Sequence, residues 1–145
     1  MARRVVDVTI TEEGRDKGKR FRLTEMPASQ AERWAMRALL AFAKAGVPMP
    51  DDMRGAGFAA VAAMGYESLA LLDFEDVAPL LDEMMRCVQV QPDPNNRDVV
   101  RDLIEDDIEE VRTRMRLRKE VLELHLGFSM AAELSRASAA TTGAG

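Results

Sequence analysis

The sequence has few of the residue types on which catalytic and metal sites depend. Its 145 residues include one cysteine, one histidine, one tryptophan and one tyrosine. Cys87 has no second cysteine with which to form an internal disulfide, and this favours a reducing compartment such as the cytoplasm. His125 has no recognisable nucleophile or orienting group around it, so we expect a half-buried histidine near a helix end. We predict no enzyme activity, no metal site and no cofactor.

Long hydrophobic runs and an excess of positive charge are also lacking. The apolar run at residues 58–64 is far shorter than the roughly 20 residues that a membrane-spanning helix needs. The N-terminus has basic residues but no apolar segment of the kind found in signal peptides. A formal net charge of -5 argues against a nucleic-acid-binding protein, because a phosphate backbone favours a basic partner.

The composition that is present, with 47% hydrophobic and 31% charged residues, is normal for a folded protein. We predict one mainly α-helical α+β domain over residues 1–128, followed by a flexible tail at 129–145. Apolar and polar residues alternate in 5–11 and again in 20–25, which predicts an antiparallel β-hairpin within residues 1–25. The loop 12–19 has two glycines but lacks the Walker spacing, so we interpret it as a solvated hairpin tip and not a phosphate loop.

A bundle of about four helices is predicted after the hairpin. The central helix spans 29–46, where Ser29 and Glu32 fit a capping box and Gly46 followed by Pro48 gives a stop signal. Helices are also predicted at 55–72 and at 74–88. Asp73 is the expected N-cap of the latter, whose regular part is expected to begin around residues 76–78, because Pro79 is tolerated only near the first turn.

A long C-terminal helix is predicted over residues 98–127. Its acidic residues precede its basic ones, as the helix dipole favours, and an i,i+4 pair is expected between Glu110 and Arg114. Arg118 interrupts the apolar stripe along this helix. The stripe comprises Val100, Ile104, Ile108, Val111, Met115, Leu122 and Leu126.

Ten methionines suggest a surface that adapts to a partner, because methionine is flexible and polarizable. Core packing is the alternative for each methionine, and it is the favoured interpretation for Trp34. A soft-metal site at Met84, Met85 and Cys87 is less plausible than core packing, since no histidine is near. The candidate partner-contact residues are large and apolar: Trp34, Phe58, Met64, Met84, Met85, Met115, Leu122 and Phe128.

Three stretches together resemble the tail assembly chaperones of long-tailed phages and prophages. They are GRDKGKRFRLTEMPASQAERWAMRALLA (14–41), PLLDEMMRCV (79–88) and IEEVRTRMRLRKEVLELHLGF (108–128). The resemblance implies a protein of the bacterial host cytoplasm that binds the tape measure protein, keeps it soluble and is displaced as tail-tube subunits assemble. The tape measure protein and the tail-tube protein are the implied partners.

Two other functions stay open from the sequence. A minor tail protein retained in the virion is one, and a small regulatory protein that binds nucleic acid through residues 112–119 is the other. Self-association through the last helix or through residues 55–65 is a further possibility.

Overall fold

The computed structural model describes residues 3–47, 61 and 65–125. Strand β1 (Val5–Thr9) pairs antiparallel with β2 (Arg20–Thr24), which confirms the predicted hairpin. Strand β3 (Val88–Val90) adds to β2, and β4 (Arg101–Asp102) adds to β3, so the sheet order is β1-β2-β3-β4. The sheet therefore extends beyond the hairpin into segments that the sequence pattern assigned to helix and loop.

One face of the sheet builds the core and the other is polar. Phe21 and Leu23 on β2 are fully buried, and Val88 and Val90 on β3 lie on the same side. Between them along β2, Arg22 projects to the opposite face, where its Nε donates to Asp7 Oδ1 at 3.0 Å. This alternation follows from the two-residue period of a strand.

Helix α1 (Ala28–Lys44) runs antiparallel to α2 (Phe74–Met85). Ion pairs mark the two ends of the contact, with Lys44 Nζ 3.1 Å from Asp76 Oδ2 and Arg37 Nη1 3.3 Å from Glu83 Oε1. Inside the contact the Trp34 indole N–H donates to the Leu80 carbonyl at 3.0 Å. The single tryptophan is therefore a core residue that joins the two helices.

The ends of α1 were predicted with mixed success. Its C-terminus agrees with the sequence: Gly46 has φ 76°, and the N–H of Val47 donates to the Phe42 carbonyl at 3.0 Å. Its N-terminus differs, because the helix begins at Ala28 with Pro27 as N-cap and no side-chain cap bond. The predicted capping box is wrong, since Ser29 lies inside the helix and does not precede it.

Helix α2 begins after Asp73, the predicted N-cap position, but no side-chain cap bond forms there. The helix starts at Phe74 and includes Pro79, so the prediction that its regular part begins around residues 76–78 is wrong by two to four residues. The helix also ends at Met85 and not at residue 88, because Val88 pairs with Leu23 in the sheet. Pairing with β2 overrides the local helical pattern at this point.

The predicted helix over 98–127 is wrong in its first half. Residues 101–102 form β4, Glu105–Asp107 form a 3-10 turn, and α3 occupies 111–125. Asp107 stabilises the turn by accepting the Ile104 N–H at 2.7 Å and both Nη groups of Arg101 at 2.8 Å. The acidic run is thus a capped turn next to the sheet and not the first turns of a long helix.

Buried side chains from the sheet, from all three described α-helices and from Val61 form one hydrophobic cluster. The chain is an α+β protein, with an N-terminal hairpin followed by mainly helical structure. Within the predicted helix 55–72, Tyr66–Leu71 form a 3-10 turn and Val61 is helical, while the remainder up to residue 64 lies outside the described residues, as does the tail 129–145. No helix in the described ranges has both the length and the apolar character needed to cross a bilayer.

Candidate partner-binding groove

An apolar groove of about 610 Å³ lies alongside the first three turns of α3. We call it the α3 groove. Val111 and Met115 form one wall, and side chains of the turn Tyr66–Leu71 and of α2 form the other. The apolar side chains that line it are Leu69, Ala70, Val77, Leu81, Val111 and Met115.

The α3 wall of the groove is open to solvent. Val111 is 72% exposed and Met115 is 48% exposed, although both are large apolar side chains. A single exposed apolar side chain is ordinary, but a contiguous concave apolar surface is typical of a ligand or partner site. The groove is therefore the candidate functional surface.

Charged side chains along the rim are mostly paired within the chain. Arg116 Nη1 lies 2.6 Å from Glu12 Oε2, and Lys119 Nζ lies 3.8 Å from Glu67 Oε1. Arg118 differs: its Nε donates to the Tyr66 hydroxyl at 2.7 Å, and no carboxylate of the described residues forms an ion pair with it. Within the part of the chain that the structure describes, Arg118 is thus the cation of the groove lining that has no carboxylate partner.

Asp16, in the loop between β1 and β2, fixes the position of α3. It is 1% exposed. Its Oδ1 accepts the Glu109 N–H at 2.9 Å, and its Oδ2 accepts the Glu110 N–H at 3.0 Å. These N–H groups belong to the two residues that immediately precede α3, where a carboxylate satisfies unpaired donors and interacts favourably with the helix dipole. We call this set of contacts the Asp16 clamp.

The ionisation of Asp16 reflects these contacts. Burial alone would raise the pKa of this carboxyl, but hydrogen bonds from Lys19, from the two backbone N–H groups and from Thr113 outweigh burial and lower the pKa to about 2. Lys19 Nζ contributes at 2.9 Å from Oδ1. Asp16 is therefore a carboxylate at neutral pH and a structural group.

Most of the loop 12–19 is exposed, as expected of a solvated hairpin tip, but Asp16 is buried and the loop is hydrogen-bonded to the segment that leads into α3. Besides the Asp16 clamp, the Arg15 N–H donates to Glu110 Oε1 at 2.7 Å. Gly14 lies so close to the Glu110 side chain that an added Cβ would be 2.2 Å from the same carboxylate oxygen. Glu110 also pairs with Arg112 at 3.1 Å and not, as predicted, with Arg114. The loop thus sets the entry of α3 and one end of the groove.

The predicted contact residues are divided between the core and the surface. Trp34, Met84, Met85 and Leu122 are buried in the hydrophobic cluster, so their assignment as partner-contact residues is corrected in favour of core packing. Met115 is exposed and lines the groove. Phe58, Met64 and Phe128 lie outside the described residues.

The sequence analysis did not identify the opposite wall of the groove, which is formed by Tyr66, Leu69, Val77 and Leu81. No local periodicity marks these residues as a set, because they come from a 3-10 turn and from α2. One signal was present in the sequence: Arg118 stood out as a charged residue within an apolar stripe, and it lies in this groove.

The single histidine and the single cysteine are both held in environments that suit a structural role. The Met26 N–H donates to His125 Nε2 at 2.8 Å, and His125 Nδ1 lies 2.8 Å from the Val121 carbonyl, so the neutral ring has its proton on Nδ1. Burial lowers the pKa of His125.

Burial raises the pKa of the Cys87 thiol to about 11, which disfavours the reactive thiolate. Among the described residues no three His, Cys, Asp or Glu side chains converge as a metal site.

Comparison with protein-family models, with curated proteins and with solved structures gives no match.

Proposed function

We propose that the protein is a non-catalytic tail assembly chaperone of a long-tailed phage or prophage. In this proposal it acts in the cytoplasm of the bacterial host. It binds the tape measure protein, keeps it soluble and helps to recruit tail-tube subunits.

The α3 groove is the observation that supports the binding part of the proposal. It is concave, largely apolar and open in the folded chain, and the exposed Val111 and Met115 lie along it. A groove of this kind suits an amphipathic helix, whose apolar face supplies the buried area while its polar face stays in water. A tape measure protein, being long, helical and apolar, would offer many such segments.

The client in this proposal is taken from the family that residues 14–41, 79–88 and 108–128 resemble. The groove lies partly within these stretches, because Leu81, Val111 and Met115 belong to them. Sequence resemblance and exposed apolar surface therefore coincide in the same part of the molecule.

Co-expression with the tape measure gene tests the proposal. We expect the soluble fraction of the tape measure protein to rise severalfold, and the two proteins to co-purify in mild salt. A tape measure protein that stays insoluble and does not co-purify would contradict the chaperone function.

Mass spectrometry of purified virions separates this function from that of a retained tail protein. A chaperone is expected to be absent from the finished particle. Peptides of this chain in a fixed stoichiometric ratio to tail-tube subunits would instead identify it as a minor tail protein.

A further inference from the structure

Arg118 is the unusual residue of the α3 groove. The neighbouring cations Arg116 and Lys119 have carboxylate partners, Glu12 and Glu67. Among the described residues, the guanidinium of Arg118 instead hydrogen-bonds to the Tyr66 hydroxyl and forms no ion pair. Its side chain is half-buried on the groove wall.

The contact with Tyr66 leaves part of the guanidinium available. Arginine has five N–H donors, and the hydroxyl takes the one on Nε. The two Nη groups form the planar fork that matches a carboxylate in a bidentate pair. Tyr66 therefore acts as a positioning residue, because it fixes the orientation of the fork relative to the apolar walls.

Covering the groove with a purely apolar helix would take this cation out of water without a partner. A buried unpaired charge is costly, whereas a carboxylate at the same place compensates for the lost hydration. The groove should therefore bind a helix that has a carboxylate near Arg118 more tightly than a helix that is purely apolar.

We propose that the α3 groove binds an amphipathic client helix that carries a glutamate or aspartate at the edge of its apolar face, paired with Arg118. The apolar side chains of that helix lie between Met115 and Leu81. The identity of the client rests on the proposed function, while the requirement for an acidic residue rests on the groove itself.

The affinity of the full-length protein for soluble helical segments of the tape measure protein tests this inference. Arg118→Met keeps the apolar stem and removes the charge, and it should weaken binding about tenfold, as expected for a lost charge-assisted hydrogen bond. Arg118→Glu should weaken binding more. Tyr66→Phe removes only the hydroxyl and should weaken binding about threefold, since a neutral hydrogen bond is worth less.

Arg33→Glu is the matched control. Arg33 is exposed on α1, outside the groove lining, and its replacement changes the net charge as much as Arg118→Glu does. We expect its affinity to equal that of the wild type. An equal loss in both variants would indicate general charge attraction and overturn the proposed pairing.

Exchanging the charges of Arg118 and its partner on the client tests whether Arg118 pairs directly with the client, because a residue that only supports the fold would show no rescue. Replacing the pairing carboxylate of the client by arginine should restore binding to Arg118→Glu and weaken binding to the wild type. Absence of rescue at every acidic position of the bound segment would overturn the inference. Failure of wild-type protein to bind any segment would instead contradict the proposed function.

A photo-reactive amino acid in place of Met115 identifies the occupant of the groove in the full chain. With client present, we expect cross-links to the apolar face of the client segment, within one or two turns of its acidic residue. Cross-links only to residues 126–145 of the same chain, or only to a second copy, would show a different occupant and overturn the inference.

Discussion

The two faces of α3 differ in what they contribute to the protein. Thr113, Leu117 and Val121 point into the core and are buried, while Val111 and Met115 line the open groove. On the buried side, the Asp16 clamp also satisfies the backbone donors at the start of the helix. On the open side, large apolar side chains remain in contact with water. One face therefore holds the helix in place, and the other is available for a partner.

This difference separates residues that maintain the fold from residues that can serve a function. The buried polar side chains of the described residues have their hydrogen-bond partners within the chain. The groove differs, because it has exposed apolar side chains and contains Arg118, which has no carboxylate partner among the described residues. Substitutions on the buried face should therefore lower the free energy of unfolding, whereas substitutions in the groove should change partner binding.

The largest effect on stability is expected from Leu117→Ala. Leu117 is fully buried in the hydrophobic cluster, so the truncation removes packing and leaves a cavity. The free energy of unfolding should fall by about 3 kcal/mol, measured by urea denaturation. Val111→Ala also shortens an aliphatic side chain, by two carbons instead of three, but on the open face, so it should change the free energy of unfolding by less than about 0.5 kcal/mol. Equal losses would mean that the groove wall is buried in solution.

Asp16→Ala should have the next largest effect. It leaves the Glu109 and Glu110 N–H groups without their acceptor, and a hydrogen bond to a charged group contributes about 1.5–3 kcal/mol. We expect a loss of about 2 kcal/mol in urea denaturation. Glu13→Ala is the control in the same loop, because its ion pair with Lys17 is exposed and should contribute little.

The Asp16 clamp should also respond to acid. The pKa of Asp16 is lowered from 3.8 to about 2 in the folded protein, so the unfolded chain binds the proton first as pH falls. The stabilisation is complete above about pH 4 and is lost as pH falls towards 2. Asp16→Asn should reduce this part of the pH dependence, and an unchanged acid profile in that variant would assign it to other carboxylates.

The parts of the fold that follow from the sequence are those encoded locally. The β1–β2 hairpin appears as a two-residue alternation, and the end of α1 appears as Gly46. Strands β3 and β4 have three and two residues, too few for a period, and they depend on pairing with a distant strand. This absence of a local signal led to the incorrect helix over 98–110.

Because residues 98–110 were assigned to the last helix, the predicted apolar face of that helix was also wrong. Taking Val100, Ile104 and Ile108 as helical extended the stripe to Val111 and Met115, which are exposed. The buried face, with Thr113 and Leu117, alternates with arginines and is inconspicuous in the sequence. The Asp16 clamp could not be predicted at all, because it joins residues 93 positions apart.

A smaller effect is expected at His125, at the far end of α3. Burial lowers the pKa of His125 below 6.5, so the unfolded chain takes up a proton first as pH falls through that region. Stability is full above about pH 6.5 and decreases below it, because a protonated Nε2 can no longer accept the Met26 N–H.

The size of the His125 effect should be about 1 kcal/mol, the contribution of one hydrogen bond. Urea denaturation between pH 7.5 and roughly 5 measures it, and His125→Gln, which cannot be protonated there, should show a flatter profile. Asp16→Asn should leave this window unchanged, since the pKa of Asp16 lies far below it. Two separate windows would show that the two ends of α3 titrate independently.

The smallest effect on stability is expected from Val111→Asp, and it completes the comparison of the two faces. Val111 is the first residue of α3 and is largely exposed, so no core contact is lost. An acidic residue in the first turn also interacts favourably with the helix dipole, which offsets repulsion from Glu110. Unfolding free energy should stay within about 0.5 kcal/mol of the wild type, while binding to tape measure segments weakens severalfold. A stable variant with unaltered binding would show that the client uses a different surface.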